Sequence, residues 1–187
     1  MAEDITMSTC KRIAIVAHNN KKEELINCLK QHRSVLAQHK LFGTGTTGSL
    51  VERELDLPVT KFQSGPLGGD QQLGSLIVSH EIDILFFLID PLDTHPHIVD
   101  VHALLRIAQV WNIVHATTTS TIDFILRSSE MNTPYTRHVF HSVPSKATPK
   151  QNLKKHQTSN RKPRIQLPHV SPARKQPVLQ QTIFRKC

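Results

Sequence analysis

All seven glycines of this 187-residue chain lie between residues 43 and 74. Six fall in two phrases, Gly43-Thr44-Gly45-Thr46-Thr47-Gly48 and Ser64-Gly65-Pro66-Leu67-Gly68-Gly69-Asp70. Glycine lets backbone amides turn toward a ligand, so this confinement marks a site. Threonine hydroxyls and helix-start amides can satisfy the oxygens of an anion, and Asp70 sets a carboxylate beside them. Such a group suits chemistry on a small phosphorylated molecule.

Each of these residues also has a plainer reading. Gly43 to Gly48 fits the G-x-G-x-x-G pattern of dinucleotide sites, but it follows the second expected strand, and no acidic residue closes the next strand to take a ribose hydroxyl. A monophosphate suits the threonines better, and a plain tight turn stays open. Asp70, after two glycines, reads as a helix cap or as a base that takes a proton from carbon next to a carbonyl. Lys22 alone reads as a solvated charge, yet it stands four residues beyond His18 at the same strand end. Asp90, Asp93, His95, His97, Asp100 and His102 invite a metal, although their spacing matches no compact zinc signature.

Positioning these groups falls to alternating strands and helices. Apolar runs predict strands over 12–17, 40–42, 59–62, 82–89 and 113–116. Helical spacing predicts helices over 21–39, 47–55, 69–79, 99–111 and 120–126. Such alternation implies an α/β fold with a parallel sheet covered on both faces and a ligand site at the carboxyl ends of its strands. His18, Thr44, Ser64 and Asp90 to His97 each follow a strand, so four regions converge on one edge.

Charge divides the chain. Residues 1–130 carry 11 Lys and Arg against 15 Asp and Glu, whereas residues 131–187 carry 12 against none. The later segment also holds 7 of the 11 prolines and no glycine. That composition buries too little surface to offset chain entropy, so residues 135–187 are expected to form a disordered basic tail. They follow a domain over 11–134 and an N-terminal extension over 1–10. The tail suggests an acidic partner such as nucleic acid or an anionic membrane surface, or else a solvated extension without one. Cys10, Cys28 and Cys187 show no metal-ligand or disulfide spacing and fit a reducing cytoplasm. The sequence shows no secretory signal and no apolar run long enough to span a bilayer.

The strings AHN followed by Lys22, GTGTTG, SGPLGGDQQ, DPLDTHPHIVD and ALLRIAQVWNI resemble methylglyoxal synthase. The resemblance runs from Arg12 to about Leu126. It implies a three-layer α/β/α sandwich around a mainly parallel five-stranded sheet. It also implies elimination of phosphate from dihydroxyacetone phosphate to give methylglyoxal, with neither cofactor nor metal. On this resemblance Asp70 is the base that forms an enediolate, His97 contacts substrate oxygens and relays protons, and Asp90 and Asp100 support the site. Thr44, Gly45, Thr46 and Thr47 hold the phosphate, with His18, Lys22, Ser64 and Gly65 in the substrate-binding set. A cytoplasmic homohexamer inhibited by inorganic phosphate is likewise implied. His95 stands where the family requires no histidine. Two departures stand out: Asn19 replaces an aspartate, and Ile98-Val99 replaces an acidic residue and proline, which could shift the loop carrying His97. The alternative is a non-catalytic regulatory ligand-binding module of the same fold.

Overall fold

The segment Ile84–Leu88 offers no polar face, and every residue in it is buried. A strand of that kind needs cover on both sides of its sheet. The computed structural model describes residues 2–93 and 97–140 and supplies that cover. In chain order the elements are β1 (Ala2–Met7), β2 (Arg12–Ala17), α1 (Lys22–Gln31), α2 (Arg33–Leu36), β3 (Lys40–Thr44), α3 (Gly45–Leu55) and β4 (Val59–Phe62). There follow α4 (Gly69–Val78), β5 (Ile84–Leu88), α5 (Ile98–Val110), β6 (Val114–Ala116), α6 (Thr119–Leu126) and β7 (Tyr135–Phe140). His95 and the tail beyond residue 140 lie outside the described residues.

Five strands form a parallel sheet in the order β4-β3-β2-β5-β6. The chain builds outward from β2 to β4, then starts again on the other side of β2 with β5. Connections leaving β2 and β5 therefore diverge, opening a crevice at their carboxyl ends. Side chains alternate between the two faces of each strand. Ile13, Ile15, Ile84 and Phe86 join Leu25, Leu29, Val51, Leu55, Ile122 and Leu126 in the core beneath α1, α3 and α6. Ala14, Val16, Leu85 and Phe87 join Leu73, Ile77, Leu104 and Ala108 beneath α4 and α5. The result is a three-layer α/β/α sandwich.

The structure departs from the sequence reading in two places. The single helix expected over 21–39 breaks at His32, whose backbone leaves the helical region (φ −114°, ψ 18°) while its Nε2 lies 2.7 Å from Asp123 Oδ1 on α6. Residues placed in the N-terminal extension and at the start of the tail also form strands. β1 and β7 pair antiparallel, from Ala2 opposite Phe140 to Met7 opposite Tyr135. Met7, Arg137 and Val139 are buried, while the other faces stay largely polar. Two such strands, far apart in sequence, give no adequate signal singly because each completes its backbone hydrogen bonds only with the other.

The amino-terminal edge of the five-stranded sheet is fastened by charge. Asp83 is fully buried and takes three bonds from Arg12: backbone N to Oδ2 at 2.9 Å, Nε to Oδ2 at 3.0 Å and Nη2 to Oδ1 at 2.8 Å. Hydrogen bonding to Asp83 raises the Arg12 guanidinium above its usual range. Lys11 is also buried and clamps two turns, its Nζ donating to the carbonyls of Ser8 at 2.6 Å and Thr133 at 2.5 Å. Asp83→Ala removes the buried acceptor of three bonds from a partly exposed Arg12, so it should cost about 1.5 to 3 kcal/mol of stability, the range for bonds to a charged group. Denaturant unfolding at fixed protein concentration measures the loss, and a change below about 1 kcal/mol would deny the pair its anchoring role.

Candidate active site

β2 runs into a three-ten turn, Asn19–Lys21, whereas β3 passes directly into α3. Because β2 and β3 pair in parallel, these junctions lie side by side. Thr44 is the extended N-cap residue of α3 and makes no side-chain cap bond. Gly45, Thr46 and Thr47 form the first turn, where amides have no partner within the helix and favour an anion. The Thr47 hydroxyl is already committed, donating to the Ala17 carbonyl at 3.3 Å, so Thr47 can serve an anion through its backbone. Lys22 reaches the same turn, with Nζ donating to Thr46 Oγ1 at 2.5 Å and to Asn19 Oδ1 at 2.8 Å. Both acceptors are neutral, so the ammonium charge is not cancelled. Asn19 thus leaves a cation where a carboxylate would offset one. Burial pulls Lys22 below the usual lysine range. Neighbouring Lys21 is instead paired with Glu24 at 2.9 Å.

Two glycines fit the second phrase against the first. Gly45 has φ +28°, and a Cβ there would stand 2.9 Å from the Cα of Ser64. Its bare backbone lets α3 begin against the loop that follows β4. Gly65 makes room for Asp70, since a Cβ at residue 65 would lie 3.0 Å from Asp70 Oδ2. Asp70 is the second residue of α4 and only 3% exposed. Neither of its carboxylate oxygens has a hydrogen-bond partner. Burial pushes its carboxyl above the usual range; His97 opposes that rise and Asp100 adds to it.

His18 follows β2 and is held by β5. Its backbone N–H donates to the Leu88 carbonyl at 3.0 Å, and its Nδ1 accepts the backbone N–H of Asp90 at 3.1 Å. Neutral His18 therefore carries its proton on Nε2. Its ring meets Phe87 edge-on at 5.6 Å between centroids and His97 at 5.8 Å. His97 caps the start of α5, which still begins at Ile98 despite the departure at Ile98-Val99.

His18, Lys22, Thr44, Thr46, Thr47, Ser64, Gly65, Asp70 and His97 all line one cavity of about 400 Å³. Gly45 lines an adjoining hollow that shares Lys22, Thr46 and Ser64 with it. Two expected catalytic residues stand apart from this wall. Asp90 touches the site through its backbone amide, while its side-chain oxygens accept from Leu92 N at 3.1 Å and Asn20 Nδ2 at 3.1 Å. Asp100 accepts from Gln71 Nε2 at 2.9 Å and, with Asp70, borders a separate groove between α4 and α5. The cavity also includes Asn20 and Phe87, which residue type and spacing did not select for a role, and Asp93, which they marked only as a candidate metal ligand. Phe87 could have been found from its place near the end of the central strand; the amide contacts of Asn20 have no linear signature. Among the described residues no three His, Cys, Asp or Glu side chains form a metal-ligating group.

The family model of the MGS-like domain matches residues 24–117. The methylglyoxal synthase of Leptospira interrogans is 47% identical over 133 residues, covering 71% of this chain and 90% of the relative. That of Coxiella burnetii is 52% identical over 127 residues, covering 68% and 89%. The crystal structure of methylglyoxal synthase from Elizabethkingia anophelis superposes with a TM-score of 0.71 at 44% identity, covering 74% of this chain and 91% of that one.

Two measurements test this electrostatic layout. Lys22→Ala should weaken binding of inorganic phosphate by about 1.5 to 3 kcal/mol in calorimetric titration, the range for a hydrogen bond to a charged group. Unchanged affinity would move the anion site elsewhere. Asp70→Asn should be more stable than the parent at neutral pH, because it removes a desolvated charge. A carboxyl whose folded pKa is raised gives up stability as pH rises through that pKa, so the gap should narrow as pH falls and Asp70 protonates. A gap that widens on acidification would contradict the raised pKa.

Proposed function

The chain belongs to the methylglyoxal synthase family of enzymes, and from that premise we propose that it is a carbon-oxygen lyase that eliminates phosphate from dihydroxyacetone phosphate, with Asp70 as base. The observation that carries this reading is the Asp70 carboxylate, buried and without a hydrogen-bond partner, on the wall of the cavity that Lys22 and the α3 threonines also line. A module that only held a phosphorylated ligand would gain nothing from a carboxylate there, since the two anions repel. A base gains from it, because desolvation raises proton affinity toward the operating pH.

In this reading the phosphate rests on the Gly45 to Thr47 turn and Lys22, with Ser64 and Gly65 closing over it. Asp70 takes a proton from the hydroxymethyl carbon, and the electron pair passes to the carbonyl oxygen to give an enediolate. His97 stabilises charge on the substrate oxygens and relays protons, acting where negative charge develops. The enediolate then expels phosphate by breaking the bond between carbon and the bridging oxygen. The resulting enol gains a proton at the carbon that bore phosphate, which becomes the methyl group of methylglyoxal. Asp90 supports His18 through its amide, and Asp100 acts on Asp70 through charge. Inorganic phosphate, the second product, would compete for the same turn and inhibit.

The reading extends to assembly and location. Leu67, Leu92 and Val99 are 73%, 96% and 74% exposed on segments that border the cavity, which supports contact between copies; a homohexamer follows from the family resemblance. No helix among the described residues is long and apolar enough to cross a membrane, and Cys10 and Cys28 are free thiols, in keeping with a cytoplasmic enzyme.

Asp70→Asn should lower kcat for methylglyoxal and phosphate release by roughly 10² to 10⁴, the range for a positioned base. Phosphate should still bind, because the anion turn is untouched. Near-parental turnover by this variant would remove Asp70 from the mechanism, and failure of the parent to release methylglyoxal from dihydroxyacetone phosphate would overturn the reading itself.

A further inference from the structure

Asn20 sits in the turn between His18 and Lys22, at the crevice where β2 and β5 connections diverge. Its Nδ2 donates to Asp90 Oδ2 at 3.1 Å and, at a longer 3.4 Å, to Asp93 Oδ2. A primary amide carries two hydrogens, one for each carboxylate. Asp90 is also the residue whose backbone N–H fixes His18, and its Oδ1 accepts from Leu92 N at 3.1 Å. Asp93 lies four residues before His97 in the chain. The ends of β2 and β5 are thus joined by the Asp90 amide on His18 and by the Asn20 amide on two like charges.

We propose that Asn20 is a positioning residue whose side-chain amide holds the 90–93 loop against the end of β2, setting His18 in the cavity. The position needs a neutral double donor. Alanine would remove the donor that Asp90 and Asp93 share, and aspartate would add a further negative charge beside them. Exchanging the groups, with the carboxylate at 20 and the amide at 93, keeps the same charge and restores a donor to an acceptor between 20 and 93 while leaving 20 facing Asp90 as a carboxylate. The catalytic consequence rests on the lyase reading; the structural one does not.

The test uses the full chain as Asn20→Ala, Asn20→Asp and the double variant Asn20→Asp with Asp93→Asn, read in two ways. Hydrogen exchange of the Asp90 backbone amide, followed by NMR, should speed by about tenfold or more in both single variants as its contact with His18 opens. The kcat for dihydroxyacetone phosphate should fall about tenfold, matching a lost bond to a charged group, with phosphate affinity kept within about twofold. The double variant should lie between Asn20→Asp and the parent in both values, since only the bond between 20 and 93 is restored. Unchanged exchange in the single variants, or a double variant no better than Asn20→Asp, overturns the proposal. A parent inactive on dihydroxyacetone phosphate would defeat the lyase reading while the exchange measurement still decides the role of Asn20.

Discussion

Burying a carboxylate without a hydrogen-bond partner is among the costlier things a small domain can do, and this cavity is arranged around one. Asp70 is kept in the first turn of α4, where the helix dipole favours negative charge and offsets part of the desolvation. Gly65 leaves room for its oxygens, and His97 supplies the compensating electrostatics. Gly65 and α4 belong to the connection after β4, whereas His97 belongs to the one after β5. Only a fold that gathers several strand ends at one edge can bring them within reach of a single carboxylate.

The opposite edge of the sheet does complementary work. Arg12 and Asp83 join the amino-terminal ends of β2 and β5, while Lys11 ties the turn after β1 to the segment before β7. These charges are satisfied by groups in the protein, whereas Lys22 at the carboxyl edge meets only neutral oxygens among the described residues. The separation matters because a satisfied ion pair stabilises, and an unsatisfied cation binds. β2 and β5 therefore carry both tasks along their length: anchorage at one end, and at the other a crevice whose groups remain available to a ligand.

Asn19 and Asn20 show how two neighbouring amides take opposite parts in that crevice. The Asn19 oxygen accepts from Lys22, so the cation is oriented without being neutralised. The Asn20 nitrogen donates to Asp90 and Asp93, so one neutral amide serves two carboxylates. A charged residue at either position would alter the field across the cavity.

Local sequence was enough for the alternation of strands and helices over 12–126, because apolar runs and helical stripes are periodic along the chain itself. It was also enough to put the two glycine phrases, His18, Lys22, the threonines and Asp70 in connections at one sheet edge, where an α/β sheet binds, while the roles proposed for them came from the family resemblance. Tertiary structure decided what depends on pairs distant in the chain. The β1–β7 ribbon joins segments that each look like extensions, and it carries strand structure to Phe140, past residue 134 where the domain was expected to end. His32 ends α1 beside its partner Asp123, which nothing near residue 32 announces. Asp90 and Asp100 sit outside the cavity wall because their backbone positions and bonds to Asn20 and Gln71 direct their carboxylates elsewhere. Residue type and order specify which groups are present at a strand end; the direction in which each points is set by packing and hydrogen bonds that exist only once the chain has closed on itself.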